Sequence, residues 1–147
     1  MGKIEAINIS HISETDTVYV NQAFLEKNKG IVNDRYYNNY KNSMEQVTLI
    51  DKEEIDLFNY NIKNNIDYKD FRRNIIVSGV NLIQNLNKII LINDVKLKIH
   101  EICQPCKYLQ DKLKIPELVK LLVNKSGVRA EILTSGFIKV NDKIKIT

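Results

Sequence analysis

The chain is poor in the residue types that mark several classes of protein. It has 5 glycines and 2 prolines in 147 residues, too few for a collagen-like or a low-complexity disordered chain. No run approaches the roughly 18 apolar residues that a membrane-spanning helix needs, and the first ten residues alternate apolar with polar side chains instead of forming a signal-peptide core. We therefore expect one globular domain over residues 1–147, in the cytoplasm and without a membrane partner.

Cysteine and histidine are equally scarce. The 2 cysteines, Cys103 and Cys106, cannot staple a secreted mini-fold, and a Cys-x-x-Cys spacing in a reducing compartment indicates chemistry or metal binding. The 2 histidines are His11 and His100. A structural zinc site needs four ligands, and the chain has no second paired motif to complete one.

A strong excess of one charge is also missing. The 22 basic and 18 acidic side chains leave a formal net charge of +4, and the lysines are spread along the chain. Such a diffuse excess favours solubility and weak attraction to anions rather than a nucleic-acid footprint. Nucleic acid is therefore an unlikely partner, although Arg35 with Tyr36, Tyr37 and Tyr40 has the composition of a base-stacking cluster.

Alternation of apolar and polar residues, the pattern of half-buried strands, dominates the rest of the chain. One face of each such segment is apolar and the other polar, which is typical of antiparallel sheets. The apolar members are Val47 and Leu49; Val95, Leu97 and Ile99; Val128, Ala130 and Ile132; Ile138 and Val140; and Ile144 and Ile146.

Helical spacing is rarer. One short helix is predicted after a capping pattern at Asp51 and Glu54, and a second after Pro116, which is expected at the first helical position. Many strands and few helices predict a mainly β fold: an antiparallel β-barrel or strongly curved sheet decorated by two or three short α-helices.

The dipeptide Asn-Asp occurs at 33–34, 93–94 and 141–142. Asparagine is the non-glycine residue that most readily accepts a positive φ, which a primed hairpin turn requires. The second and third pairs lie between alternating apolar runs, so we predict hairpin turns there.

The segment from Val95 to Leu113 predicts a strand, then Cys103-Gln104-Pro105-Cys106, then a short amphipathic helix. Thiols would then stand at a helix N-terminus, where free backbone N–H groups and the helix dipole stabilise a thiolate. The alternation slips at Glu101-Ile102, as it would at a bulge that re-aims the side chains that follow.

The sequence leaves three interpretations of the cysteine pair open. The thiols fill space at a strand end, ligate a metal, or form a thioredoxin-like dithiol, for which the flanking hairpin-like strands do not supply the usual βαβ context. A second candidate group is basic: Arg35, and Arg72-Arg73-Asn74 before a predicted strand. Arginine forks bind phosphate or carboxylate bidentately.

Five segments in order along the chain resemble the motifs of the MOSC domain, named for the C-terminal domain of molybdenum cofactor sulfurases. These segments are Gly30–Arg35, Gln46–Ile50, Arg72–Val80, Cys103–Cys106 and Gly127–Leu133. The resemblance extends over nearly the whole chain. It implies a β-barrel-like domain in which a cysteine carries persulfide sulfur or ligates the molybdenum of a pterin cofactor.

The resemblance assigns a role to one of the two cysteines. Cys106 matches the key cysteine of the family, so it is the expected persulfide carrier or molybdenum ligand. In the mechanism that we expect from this, Cys103 would assist Cys106 by hydrogen bonding, or release the sulfur by closing a disulfide.

The resemblance assigns cofactor contacts to the basic motifs as well. Asp34 and Arg35 fall in a motif that reads Gly-Asp-Arg in the family, and Arg72, Arg73 and Asn74 fall in one that reads Arg-Arg-Asn or Arg-Pro-Asn. Contacts to the pterin phosphate, or a role in the architecture of the site, are expected there.

The chain departs from the family pattern at single residues and in length. Asn33 stands where the family usually has glycine, and Tyr36 where many relatives have histidine. Neither the pyridoxal-phosphate domain of the sulfurases nor the second β-rich domain of amidoxime-reducing proteins fits within 147 residues. We therefore expect no covalent pyridoxal phosphate on this chain. We expect a cysteine desulfurase or another donor to supply the sulfur, and a molybdenum-cofactor enzyme or biosynthesis protein to receive it.

The leading hypothesis is a stand-alone MOSC protein that binds or services a molybdenum–pterin cofactor through Cys106. One alternative is a molybdenum-dependent reductase of N-hydroxylated compounds. Another is a thiol-disulfide protein that reacts first through Cys103, and the last is a non-catalytic anion- or cofactor-binding module.

Overall fold

Strands dominate the computed structural model, which describes residues 2–12, 16–38 and 45–147. The strands are β1 (Gly2–Ile9), β2 (Val18–Val20), β3 (Gln22–Glu26), β4 (Gly30–Ile31), β5 (Val47–Asp51), β6 (Ile75–Ser78), β7 (Ile89–Ile92), β8 (Val95–Ile102), β9 (Val128–Ile132), β10 (Gly136–Lys139) and β11 (Lys143–Ile146). The α-helices are α1 (Lys52–Ile62), α2 (Lys107–Leu113) and α3 (Leu118–Leu121), and 3-10 turns cover Tyr68–Phe71 and Ile83–Asn85.

Seven strands close into a barrel in the order β1, β6, β5, β9, β8, β7 and β11, and β11 pairs back onto β1. β2 pairs with the far end of β1, and β10, β3 and β4 form a separate three-stranded sheet. Every barrel pair is antiparallel except β5–β6. Parallel neighbours need a crossover connection, which α1 begins. The predicted barrel with short helices is confirmed, with one parallel pair added.

Two apolar cores lie on the two faces of strands β5 and β6. Leu49, Ile75 and Val77 belong to the core of the barrel, whereas Ile50 and Ile76 belong to a second core under the helices. Strands β5 and β6 therefore bury both faces, which explains their continuous apolar runs. The helical side of the second core is formed by Ile55, Phe58, Leu109, Leu118 and Leu122. Within the described residues no helix is long and apolar enough to cross a membrane.

Both predicted helix starts differ in detail from the structure. Asp51 is the N-cap of α1 but makes no side-chain capping bond; its Oδ2 accepts the backbone N–H of Leu82 at 3.3 Å instead. The helix predicted after Pro116 begins only at Leu118, because Glu117 adopts a left-handed conformation (φ 65°). Pro116 therefore precedes the helix rather than starting it.

The positive φ expected at the asparagine turns is confirmed, but one of the two predicted hairpins is wrong. Asn33, Asn93 and Asn141 have φ values of 75°, 54° and 78°. The turn at 93–94 joins β7 to β8 as an antiparallel hairpin. The turn at Asn141 does not make a hairpin, because β10 pairs with β3 whereas β11 pairs with β1 and β7.

Replacing Asp51 with asparagine should stabilise the protein in a pH-dependent way. Burial raises the pKa of Asp51 from 3.8 to about 6. The hydrogen bond from the Leu82 N–H lowers this pKa, and the negative charges of Glu54 and Glu53 raise it further. A carboxyl whose pKa is raised by folding contributes stability below its unfolded pKa and loses it as the pH rises through the folded value. We expect Asp51→Asn to gain about 2 kcal/mol at about pH 7.5 and almost nothing at about pH 4 in urea unfolding. An equal gain at both pH values would contradict this explanation.

Candidate functional site

Cys103 and Cys106 lie between β8 and α2, as the sequence predicts. Cys103 extends the β8–β9 ladder: its backbone N–H donates to Gly127 O at 2.9 Å, and its carbonyl accepts a bond from Ser126 Oγ at 2.7 Å. Cys103 is only 3% exposed. Cys106 is exposed and is the N-cap of α2, in an extended conformation. One thiol is therefore buried on a fixed backbone, and the other faces solvent.

A bulge in β8 precedes the cysteines. The β8–β9 register shifts between Ile99, opposite Ala130, and Glu101, opposite Arg129. The bulge predicted at this end of the strand is confirmed, and it re-aims the residues that lead to Cys103. The unpaired position is His100, whose Nε2 lies 2.8 Å from Glu131 Oε1.

Arg73 holds the cysteine loop. Its Nε donates to Ser126 O at 2.8 Å, and its Nη2 lies 3.2 Å from Gln104 O and 3.5 Å from Cys103 O. Cys103 and Gln104 follow β8, and Ser126 precedes β9, so one guanidinium links the adjacent ends of the two strands. Arg73 lies where the sequence predicts a basic site residue, but its guanidinium donates mainly to backbone carbonyls.

The two cysteines share a pocket of about 310 Å³. The lining residues are Arg35, Tyr36, Phe71, Arg72, Arg73, Cys103, Gln104, Cys106, Tyr108, Leu109 and Arg129. Among the described residues, the lining of this pocket contains four arginines and no carboxylate. The pocket is therefore suited to an anionic ligand.

Arg72 and Arg35 repel each other across this pocket. Arg72 is buried, and burial lowers the pKa of its guanidinium, which the charge of Arg35 lowers further. The Arg72 guanidinium lies 5.6 Å from the centre of the Tyr108 ring, and that of Arg35 lies 4.5 Å from the Tyr36 ring. An anion between the two arginines would relieve their repulsion, because each cation would then have an opposite charge beside it.

Arg129 is a pocket residue that the sequence interpretation missed as a site residue. Burial alone would lower the pKa of Arg129, but the electrostatic interaction with Cys103 and the charges of Glu45 and Glu101 raise it overall. Its Nη1 lies 3.1 Å from Glu45 Oε1. The available signal was its membership of the Gly127–Leu133 motif, but only the shifted register brings it to Cys103.

Asp34 and Asn74 do not line the pocket. Asp34 Oδ1 accepts the backbone N–H of Ser10 at 3.0 Å. Asn74 Oδ1 accepts bonds from the N–H and hydroxyl of Thr48 at 3.0 and 3.1 Å, and its Nδ2 donates to Asn8 O at 3.2 Å. These two side chains hold β1, β5, β6 and the turn before Arg35, so their predicted cofactor contacts stay a prediction.

Two tyrosines of the predicted base-stacking cluster, Tyr36 and Tyr37, have different surroundings in the structure. Tyr36 lines the pocket, whereas the Tyr37 hydroxyl donates to Glu26 Oε1 at 2.6 Å. Tyr40 lies outside the described residues. No group of three or more His, Cys, Asp or Glu that could hold a metal ion occurs in the part of the chain that the structure describes.

The sequence of the chain matches a model of the MOSC domain over residues 35–145. This range is about three quarters of the chain. The chain belongs to the MOSC domain family. The match to the MOSC domain starts at Arg35 and includes Arg72, Arg73, both cysteines and Arg129. A search of curated proteins gives no match.

Solved structures resemble this MOSC domain in fold. YiiM from Geobacillus stearothermophilus superposes with a TM-score of 0.82 at 16% identity, covering 100% of this chain and 75% of that one. YuaD from Bacillus subtilis gives 0.82 at 16% identity, covering 99% of this chain and 96% of that one. YiiM from Escherichia coli gives 0.74 at 11% identity, with coverages of 99% and 69%. At these identities the likeness establishes the fold alone.

Proposed function

We propose that this MOSC domain serves a molybdenum–pterin cofactor by carrying sulfur on Cys106 as a persulfide. The supporting observation is that one exposed thiol lines a pocket with four arginines. A thiolate is a soft nucleophile suited to transferable sulfur, and guanidinium groups suit phosphate. The groups needed to take up sulfur and to hold an anionic cofactor therefore meet in one pocket.

In the loading step, the Cys106 thiolate attacks the terminal sulfur of a donor persulfide, such as that of a cysteine desulfurase. A bond forms between Cys106 Sγ and that sulfur, the S–S bond of the donor breaks, and the donor cysteine leaves as a thiolate. Arg35 and Arg72 hold the anionic acceptor in register with the loaded sulfur. The acceptor belongs to a molybdenum-cofactor enzyme or a cofactor biosynthesis protein in the cytoplasm.

The residues of the pocket fit a molybdenum–pterin group. Cys106 offers one thiolate ligand, and Arg35 and Arg72 offer donors for the phosphate. The pocket volume of about 310 Å³ lies at the lower end of the range for small-molecule sites, about 300 to 1,000 Å³. When bound, the group would supply redox chemistry at the metal.

A second candidate function is reduction of N-hydroxylated compounds at molybdenum. It is supported by the same exposed thiol in the arginine-lined pocket, since Cys106 would supply a thiolate ligand to the metal. Molybdenum content of the purified protein discriminates the two functions. The thiol-disulfide alternative requires a first attack by Cys103, which its 3% exposure opposes.

We expect wild type and Cys103→Ala to gain the mass of one sulfur atom within the first minutes of anaerobic incubation with a cysteine desulfurase and cysteine. Cys106→Ala should gain none, because it lacks the exposed nucleophile. Intact-mass spectrometry measures the adduct, and reductant should remove it.

The Cys103→Ala variant is the matched control, since it removes the other cysteine of the same loop. An adduct that persists in Cys106→Ala would assign the chemistry to another residue. No adduct on any form would rule out the sulfur carrier and leave molybdenum analysis to test the second candidate.

A further inference from the structure

Cys103 is a buried nucleophile that the loading step does not use. It is 3% exposed and lines the same pocket as Cys106. Arg129 lines the pocket as well, close enough for its guanidinium to interact with Cys103. Both thiols therefore line one pocket, which a cysteine that only fills space in a core would not do.

The loop between the two thiols is held by hydrogen bonds to neighbouring segments of the chain. Gln104 Nε2 donates to Asn124 Oδ1 at 2.6 Å, and its Oε1 accepts the Asn124 N–H at 2.8 Å. Arg73 and Ser126 hold the carbonyl of Cys103, and Cys106 O accepts the N–H of Gln110 in α2 at 3.2 Å. Both cysteine backbones are therefore fixed, at the two-residue spacing used by redox-active dithiols.

We propose that Cys103 is the resolving thiol that releases the sulfur carried by Cys106. This inference rests on the proposed function. The Cys103 thiolate attacks Cys106 Sγ of the persulfide, a disulfide closes between the two residues, and the terminal sulfur leaves as hydrosulfide.

The step balances without an external oxidant. One bond forms between the two Sγ atoms, the bond from Cys106 Sγ to the terminal sulfur breaks, and its electron pair leaves with that sulfur. The two thiols are oxidised to the disulfide, and the terminal sulfur is reduced to hydrosulfide. An external dithiol reduces the disulfide before the next cycle.

Burial decides which thiol can perform this attack. Small external thiols reach Cys106, which is exposed, far more readily than they reach Cys103. An attack from a neighbour in the same pocket is intramolecular, so it has the rate advantage of a pre-positioned nucleophile. Cys103 is thus a catalytic residue for release, and Arg129 is a positioning residue that acts through it.

The test is a single turnover. Wild type and Cys103→Ser are loaded with a cysteine desulfurase and cysteine, separated from both, and followed anaerobically by intact mass and by hydrosulfide assay. Wild type should lose the adduct, end two hydrogens lighter than the unloaded protein, and release one hydrosulfide per chain. Cys103→Ser should keep its adduct at least about tenfold longer.

Each other outcome separates this inference from the proposed function. If neither form loads, the proposed function fails and this inference fails with it. If both load and release sulfur at the same rate, the carrier stands but Cys103 is not the resolving thiol. If peptide mapping finds the extra sulfur on Cys103, the pair relays sulfur instead of releasing it, and the inference is overturned.

Variants of Arg129 give a second test that does not alter either cysteine. Arg129→Gln should slow release from the loaded protein about tenfold, and Arg129→Lys should restore most of the rate, because the cation matters rather than the fork. Glu45→Gln is the matched control: it breaks the 3.1 Å pair with Arg129 but leaves the guanidinium beside Cys103. Unchanged release in Arg129→Gln, or no rescue by lysine, would overturn the role of Arg129.

Discussion

Replacing Gly127 with alanine should destabilise the protein by about 4 kcal/mol, because it combines backbone strain with a backbone clash. Gly127 has a φ of +96°, a conformation that L side chains rarely adopt. A Cβ there would overlap the carbonyl oxygen of Leu49 and come within 3.0 Å of its carbonyl carbon and 3.1 Å of Ile50 Cα. These atoms belong to β5, so relief requires β9 to move away from β5.

That movement would also reach the cysteine loop. Gly127 O accepts the N–H of Cys103 at 2.9 Å, and the preceding carbonyl, of Ser126, accepts Arg73 Nε at 2.8 Å. Urea unfolding followed by circular dichroism measures the loss of stability. The alkylation rate of Cys103 reports the loop, and it should rise because the buried thiol becomes accessible.

Gly136→Ala is the matched control for Gly127→Ala. Its Cβ would meet Val95 Cγ2 at 2.8 Å, the end of a side chain, and we expect a loss of about 1 kcal/mol. Equal losses in the two variants would show that the close approach of β9 to β5 is not the cause.

Local pattern predicted the elements of this fold, but not all of their partners. Alternation identifies a strand because a barrel wall has one face toward the core, as Leu97 and Ile99 do in β8. Asn141 shows the limit of this reasoning. A positive φ is a property of one residue and was predicted, whereas the sheet that β11 joins depends on contacts with β1 and β7, far away in the sequence.

The candidate site was predictable in residue type and less so in role. The two cysteines and three of the four pocket arginines were singled out from their chemistry. Neighbouring Arg72 and Arg73 could not be told apart, yet Arg72 takes a left-handed φ of 61°, is buried and stacks on Tyr108, whereas Arg73 reaches carbonyls at the β8–β9 end. Arg129 was missed because its approach to Cys103 depends on a one-residue register shift that only the paired strands reveal.

Arg72→Gln should weaken binding of a phosphorylated pterin about tenfold or more, since a charge-assisted hydrogen bond in a partly desolvated site is worth about 1.5 to 3 kcal/mol. Arg72 is 9% exposed and is repelled by Arg35, so a bound phosphate gains from both charges at once. Fluorescence titration of the pterin measures the affinity. Wild-type affinity should fall with added salt more steeply than that of the variant, because one fewer cation contacts the anion.

A matched control separates the pocket from the net charge of the protein. Lys96→Gln removes the same unit of charge from an exposed position of β8 that does not line the pocket. We expect its affinity to stay within about twofold of wild type, because exposed charges beyond about 10 Å are largely screened by salt. If the two variants lose affinity equally, the diffuse positive charge of the chain attracts the ligand, and the arginines of the pocket do not form a phosphate site. If only Arg72→Gln loses affinity, the phosphate lies against the buried arginine, in the pocket that Cys106 also lines.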